Sequence, residues 1–313
     1  MHPPCAAVDI GSATVHLLIA RLSDAGKLET YHEESVRPLL GARRTSNGMI
    51  PPDAADEVLA ALRRYQRVAA EFGVYRLLVV ATEAVRAAAN GGEVVTRWQD
   101  ALSQPIVVLT TAQETRLAMY GAYAGTLPEA GLFADSGGAS TQVAVIAGRA
   151  VLWQCSLPIG ASGLTSAYLR SDPPTTQEVA TADGAVWRAL TALPPPSAPT
   201  GPAYLPVITG GTASTLQALA LPGCTAGTLI TACLTSANDR LVREPSQVFA
   251  QRFNLPPERS RILCAGCLIV RQLVQWSGCN LWRASVAGIR EGMIRAWSAD
   301  PQYWVTPLTE EGP

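Results

Sequence analysis

"FADSGGASTQVAVIAG", residues 133–148, decides the fold. An apolar run leads into a turn headed by one carboxylate, Asp135. Gly137, Gly138, Ala139, Ser140 and Thr141 keep that turn small, and an alternating apolar run leaves it after Gln142. The pattern predicts strand, tight turn, strand. Such a turn exposes backbone N–H groups, and its small side chains let an anion approach them. Near the N-terminus the same pattern recurs as Asp9-Ile-Gly-Ser-Ala-Thr, with "AAVDI" before it and "VHLLIARL" after it. Two halves opening on matching hairpins predict two related lobes whose turns face each other across a cleft.

Composition agrees with that scale. The chain has 313 residues, 48% hydrophobic and 16% charged. At roughly 150 residues per domain this predicts two domains with sizeable cores. The boundaries expected are 1–125 and 126–313, with a last helix at about 290–313 able to pack back on the first lobe. A formal net charge of −1 argues against a nucleic-acid footprint. Arg63 and Arg64 are expected on a solvated helix face. "MHPPCAAVDI" lacks a basic stretch followed by an apolar one, and no apolar run is long enough for a bilayer, so no membrane role and a cytoplasmic location are expected. Seven cysteines are scattered. Cys264 and Cys267 read as small buried thiols at a helix start.

Between the hairpins, strands and helices alternate. "PPDAADEVLAALRRYQRVAAEFG" is a helix with Asp53 as candidate N-cap. "YRLLVVAT" is a buried strand leading into "EAVRAAAN", and "PIVVLT" leads into the helix "AQETRLAMYGAYAGT". In the second half "TTQEVATADGAVWRALTAL" and "RSRILCAGCLIVRQLVQWSG" read as helices, and "LWRASV" as a strand. "LPPPSAPTGPAYLP" reads as a surface loop and "PLTEEGP" as a frayed end. Alternation of this kind is an α/β pattern. Trp276, Trp282 and Trp297 are expected to pack in the core.

The chemistry expected of the loops is phosphate binding. The candidates are Gly11, Ser12 and Thr14 in the first loop, and Gly137, Gly138, Ala139, Ser140 and Thr141 in the second. Gly210, Gly211 and Thr212, in "GGTAST", are possible further ligand contacts through backbone N–H groups. Carboxylates at the loop heads, Asp9 and Asp135, suit a divalent cation held through water between them and the phosphates. Gln142 is a weaker candidate ligand. Phosphoryl transfer to water also needs a base and a cation, and Glu114 and Arg86 are the candidates at strand ends. The alternative for Glu114 is an exposed helix carboxylate paired with Arg116. His16 either approaches the cleft or is a hydrogen-bonded strand histidine. Arg290 and Glu291 read as a structural pair.

Together these segments resemble the exopolyphosphatase/guanosine pentaphosphate phosphatase family. The resemblance runs in order through "AAVDIGSATVHLLIARL", "VVATEAVRAAAN", "LTTAQETRLAMYGA", "FADSGGASTQV", "SLPIGASGLTSAYLRSDPPT", "VITGGTASTL" and "AGIREGM", nearly the whole chain. It implies an α/β fold of two ribonuclease-H-like, actin-like ATPase lobes. Each lobe has a mixed sheet flanked by helices, and a ligand cleft lies between them. It implies release of terminal phosphate from inorganic polyphosphate or guanosine pentaphosphate with Mg2+ or Mn2+, in the family's short two-domain form, and a possible homodimer. Glu114 falls on the family's water-activating glutamate and Arg86 on its cleft arginine. The departures are Ala13 and Thr14 in the first loop, Ala139 and Gln142 in the second, and Gln113 before Glu114. They leave open a catalytically weakened binder of polyphosphate or guanosine alarmones, while the duplicated phosphate loops allow, against the family motifs, an ATP-dependent kinase of the same fold.

Overall fold

The structure, a computed structural model, describes residues 2–193, 206–219 and 227–302, with the side chains of 230–233 left aside. The Pro-rich stretch, nearly all of it, and "PLTEEGP" lie outside the described residues. The chain divides into two compact units, Met1–Leu127 with Ala287–Pro313, and Pro128–Val286.

In the first unit β1 (Cys5–Ile10), β2 (Val15–Leu22) and β3 (Leu28–Val36) form an antiparallel meander that runs into the short helix α1 (Leu40–Arg43). Helix α2 (Pro52–Glu71) follows, then β4 (Leu77–Ala81), the single turn α3 (Glu83–Arg86), α4 (Gly91–Leu102), β5 (Ile106–Val108) and α5 (Thr111–Ala122). Strand order is β3-β2-β1-β4-β5, with β4 and β5 parallel to β1. The α2 N-cap is Pro51, not Asp53. Proline is pre-set for a helix start, and Asp53 instead pairs with Arg43 at 2.6 Å from the first turn. Arg63 and Arg64 are exposed on this helix.

In the second unit β6 (Ala130–Ser136), β7 (Thr141–Ala147) and β8 (Ala150–Leu157) repeat the meander and run into α6 (Ala161–Tyr168). Then come α7 (Thr176–Thr191), β9 (Val207–Thr209), α8 (Gly211–Ala218), β10 (Thr228–Ile230), α9 (Thr231–Leu241), α10 (Ser246–Phe253), α11 (Pro257–Ser277) and β11 (Leu281–Ala284). The order β10-β11-β9-β6-β7-β8 contains the first sheet's pattern. Two antiparallel neighbours lie on one side of β6, and β9 and β11 run parallel on the other. Strand β10 is an added antiparallel edge. The last helix, α12 (Ile289–Ala299), belongs to the first unit.

Alternation along β1 assigns its two faces. Ala6, Val8 and Ile10 pack with Val58, Leu62 and Tyr65 of α2 and Trp98 of α4. Cys5 and Ala7 pack with Leu117 of α5 and Met293 and Ile294 of α12. Asp9, in phase with Cys5 and Ala7, therefore lies on the α5–α12 face. Those two helices meet backbone to backbone: a Cβ on Gly121 would sit 2.0 Å from the Gly288 carbonyl oxygen, and one on Gly292 2.0 Å from that of Leu117. The second core joins Leu132, Ala134, Val143 and Val145 to Val186, Leu268 and Trp282. Cys264 and Cys267 are buried in the body of α11 rather than at its start, and burial pushes the Cys264 thiol up to about 12. Trp276 and Trp297 are partly buried against their cores. Among the described residues no helix is long and apolar enough to cross a membrane.

Candidate active site

Both loops close by the same bond. The Gly11 N–H donates to the Thr14 carbonyl at 3.0 Å, and the Gly137 N–H to the Ser140 carbonyl at 3.0 Å. Registers match too: Asp9 lies opposite His16 across β1–β2, and Asp135 opposite Gln142 across β6–β7. Each loop then turns its carbonyls toward the segment that follows its meander. The Ser12 carbonyl accepts from the Gly41 N–H at 2.8 Å, and that of Ala13 from the Leu39 N–H at 3.2 Å. The Gly137 carbonyl accepts from Ala161 at 3.0 Å, and that of Gly138 from Ser162 at 2.9 Å and Gly163 at 3.1 Å. With the carbonyls committed, the N–H groups of Ser12, Ala13, Thr14, Gly138, Ala139 and Ser140 meet no acceptor among the described residues. Two concave runs of N–H donors are an anion-binding arrangement.

Packing fixes the second loop from behind. A Cβ on Gly160 would lie 2.4 Å from the Gly138 carbonyl carbon, so only glycine fits there. Gly210 has φ +102°, and a Cβ on it would meet the Ser136 carbonyl oxygen at 2.3 Å and Asp135 Oδ1 at 2.9 Å. Gly211 lies under the Arg259 guanidinium, where a Cβ would be 2.3 Å from Nη1. The Thr212 side chain is packed on Gly266 of α11, so this residue has only its backbone to offer a ligand.

The hydroxyls divide differently from the sequence expectation. Thr141 Oγ1 donates to the Ile159 carbonyl at 2.6 Å and is buried, so it is a strut of the loop rather than a phosphate donor. Ser12 Oγ donates to Glu83 Oε2 at 3.2 Å. Ser140 Oγ accepts from Gln142 Nε2 at 2.9 Å, and Ser156 Oγ lies 3.4 Å from the same nitrogen. Gln142 is thus a buried side chain holding its own loop. The Thr14 side chain is part-exposed.

Glu114 is not an exposed carboxylate. It sits in the first turn of α5, 7% exposed. Arg86 Nη1 binds its Oε2 at 2.9 Å and the Leu109 carbonyl at 2.7 Å. Burial raises the Glu114 carboxyl above the ordinary value, and Arg86 opposes the rise. Gln113, beside it, completes a capping box: its N–H meets Thr110 Oγ1 at 3.2 Å, and its Oε1 accepts from the Thr110 N–H at 2.9 Å. A glutamate would make the same cap, so this departure leaves the local structure unchanged.

Asp9 completes the first unit's acidic set. Its Oδ1 is buried without a hydrogen-bond partner. Burial first, then the Glu114 carboxylate, raises its carboxyl to about 7, with Arg290 acting against them. Arg290 and Glu291 stand 3.7 Å apart, and Glu291 Oε2 accepts from the Gly288 N–H at 2.7 Å, capping α12. Glu83 stands in "VVATEAVRAAAN" but is not among the expected site residues, and Arg44, 3.7 Å from it, and Arg259, over Gly211, stand in none of the segments that carry the resemblance; only folding places them there. No cluster of three or more metal-ligating side chains exists among the described residues. A cation held through its water shell fits an unpartnered carboxylate oxygen better than a closed cage does.

A family model described as the Ppx/GppA phosphatase family matches residues 18–299. Exopolyphosphatase 2 of Mycobacterium tuberculosis is 30% identical over 291 residues, which is 86% of this chain and 89% of that protein. Exopolyphosphatase 1 of Mycobacterium bovis is 30% identical over 179 residues, 55% of this chain and 51% of that one. The crystal structure of the Aquifex aeolicus Ppx/GppA family member superposes with a TM-score of 0.80 at 29% identity, covering 96% of this chain and 99% of that one.

Proposed function

Because this chain belongs to the Ppx/GppA phosphatase family and is a hydrolase, we propose that it removes the terminal phosphate of inorganic polyphosphate, with Glu114 taking the proton of the attacking water. The observation that carries the reading is the Glu114 carboxylate: buried, raised in pKa, and aimed by Arg86. A base with a raised pKa has more drive to accept a proton near neutral pH. The water oxygen bonds to the terminal phosphorus, the bridging P–O bond breaks, and a chain shorter by one phosphate leaves. Arg86 keeps the Glu114 oxygen in place and puts positive charge beside it. The loop N–H groups bind the phosphate oxygens and favour the charge that builds on them in the transition state.

In the first unit Asp9, and in the second Asp135 through water, are the residues that would offer oxygens to Mg2+ or Mn2+. Such an ion neutralises phosphate charge. The buried, unpartnered Asp9 Oδ1 supports this assignment. Guanosine pentaphosphate presents the same linked phosphates and is the second substrate to test. Purified protein with Mg2+ is expected to release inorganic phosphate from polyphosphate, and a parallel assay with guanosine pentaphosphate ranks the two. Tight binding of both without release, across Mg2+ and Mn2+, would replace the hydrolase reading with that of a binder.

A further inference from the structure

The two loops carry hydroxyls of opposite polarity. A serine hydroxyl has one proton to give. Ser12 spends its proton on Glu83, the first residue of α3, whose other carboxylate oxygen faces Arg44 at 3.7 Å. The Ser12 oxygen is left with lone pairs only. Ser140 is arranged the other way: Gln142 Nε2 donates to it at 2.9 Å, and its own proton meets no acceptor among the described residues although the side chain is buried. Three residues before the part-exposed Ser12, Asp9 Oδ1 is a buried acceptor without a donor.

We propose that Ser140 donates its hydroxyl to a phosphate oxygen, whereas Ser12 accepts from the water shell of a divalent cation, and that Gln142 and Glu83 are positioning residues that set these two polarities. The inference rests on the phosphohydrolase reading and deepens it. It also gives Gln142 a purpose. A glutamate at 142 has no proton to offer, so the Ser140 hydroxyl would turn toward that carboxylate and cease to be a donor. The neutral amide keeps it one. At the first loop the carboxylate of Glu83 does the reverse, and Arg44 offsets its charge close to an anion-binding turn.

Two titrations separate the roles: inorganic tripolyphosphate in the presence of a chelator, followed by calorimetry, and Mn2+ alone, followed by electron paramagnetic resonance. Ser140→Ala is expected to weaken metal-free tripolyphosphate binding roughly ten- to a hundredfold, as loss of a hydrogen bond to a charged group does. Ser12→Ala should leave that affinity within about twofold and weaken Mn2+ binding about two- to tenfold. Gln142→Glu should weaken tripolyphosphate binding, and adding Ser140→Ala to it should cost nothing further. The proposal is overturned if Ser12→Ala costs as much tripolyphosphate affinity as Ser140→Ala, or if Ser140→Ala keeps its full effect beside Gln142→Glu. A wild-type protein that binds neither probe and releases no phosphate overturns the phosphohydrolase reading as well. One that turns over polyphosphate while its variants break the pattern overturns only the polarity assignment.

Discussion

Asp9 shows how one side chain ties stability to function. Its carboxyl is raised to about 7 from an ordinary value of 3.8 by burial and by Glu114. Between those values the unfolded chain is ionised there while the folded chain holds a proton. Metal-free stability should therefore fall as pH rises from about 4 past 7, by up to about 4 kcal/mol for this group. Denaturant melts under chelation are expected to show that slope in wild type and its loss in Asp9→Asn, which is the more stable protein at pH 8. Unchanged slopes would remove the burial argument. The sequence singled out Asp9 and Glu114 because each stands in a motif. It singled out Arg86 and Ser12 as well, but not which side chains each would meet. Arg86 reaches Glu114 from 28 positions away, and Glu83 reaches Ser12 from 71. The alternative reading, an exposed Glu114 paired with Arg116, does not describe a carboxylate that is 7% exposed and held by Arg86.

At the level of elements, legibility followed locality. Thr175 and Glu178 form a capping box at the start of α7, within a helix that the sequence pattern marks out. Glu178 accepts from the Thr175 N–H at 2.8 Å and from those of Arg170 and Ser171 at 3.0 Å each. Led by the Thr175 backbone bond, these lower its pKa from 4.5 to about 2. A depressed carboxylate adds stability above its unfolded value, and that stability is lost as pH falls from about 4.5 toward 2. Glu178→Gln should flatten the acid limb of unfolding in that window, and an unaltered acid limb would contradict the assignment. The α5–α12 contact is the opposite case. Nothing local distinguishes Gly121 and Gly292 from other helix glycines, which cost a helix stability relative to alanine. Their reason is a neighbouring backbone that leaves no room for a Cβ. Gly292→Ala is expected to destabilise the first unit by about 1–3 kcal/mol, read by urea denaturation, where a free helix surface would gain stability instead.

Across the whole molecule, the duplicated hairpin was legible because it is written in short, contiguous patterns, and both copies fold with the same turn bond and the same register. Two α/β units with mixed sheets and matching strand order follow from it. The added edge strand β10 was not legible, since its pairing with β11 joins segments far apart in the chain. What the units do together depends on chemistry that one experiment reaches most directly: the pH–rate profile of phosphate release from polyphosphate with saturating Mg2+, for wild type and Glu114→Gln. A base must be ionised to accept a proton, so the wild-type rate should climb with pH through a value above the ordinary glutamate range. Glu114→Gln should be slower by about 10²- to 10⁴-fold, lack that limb, and still bind tripolyphosphate. A variant that retains the wild-type rate and profile would contradict the assignment of Glu114 as the base.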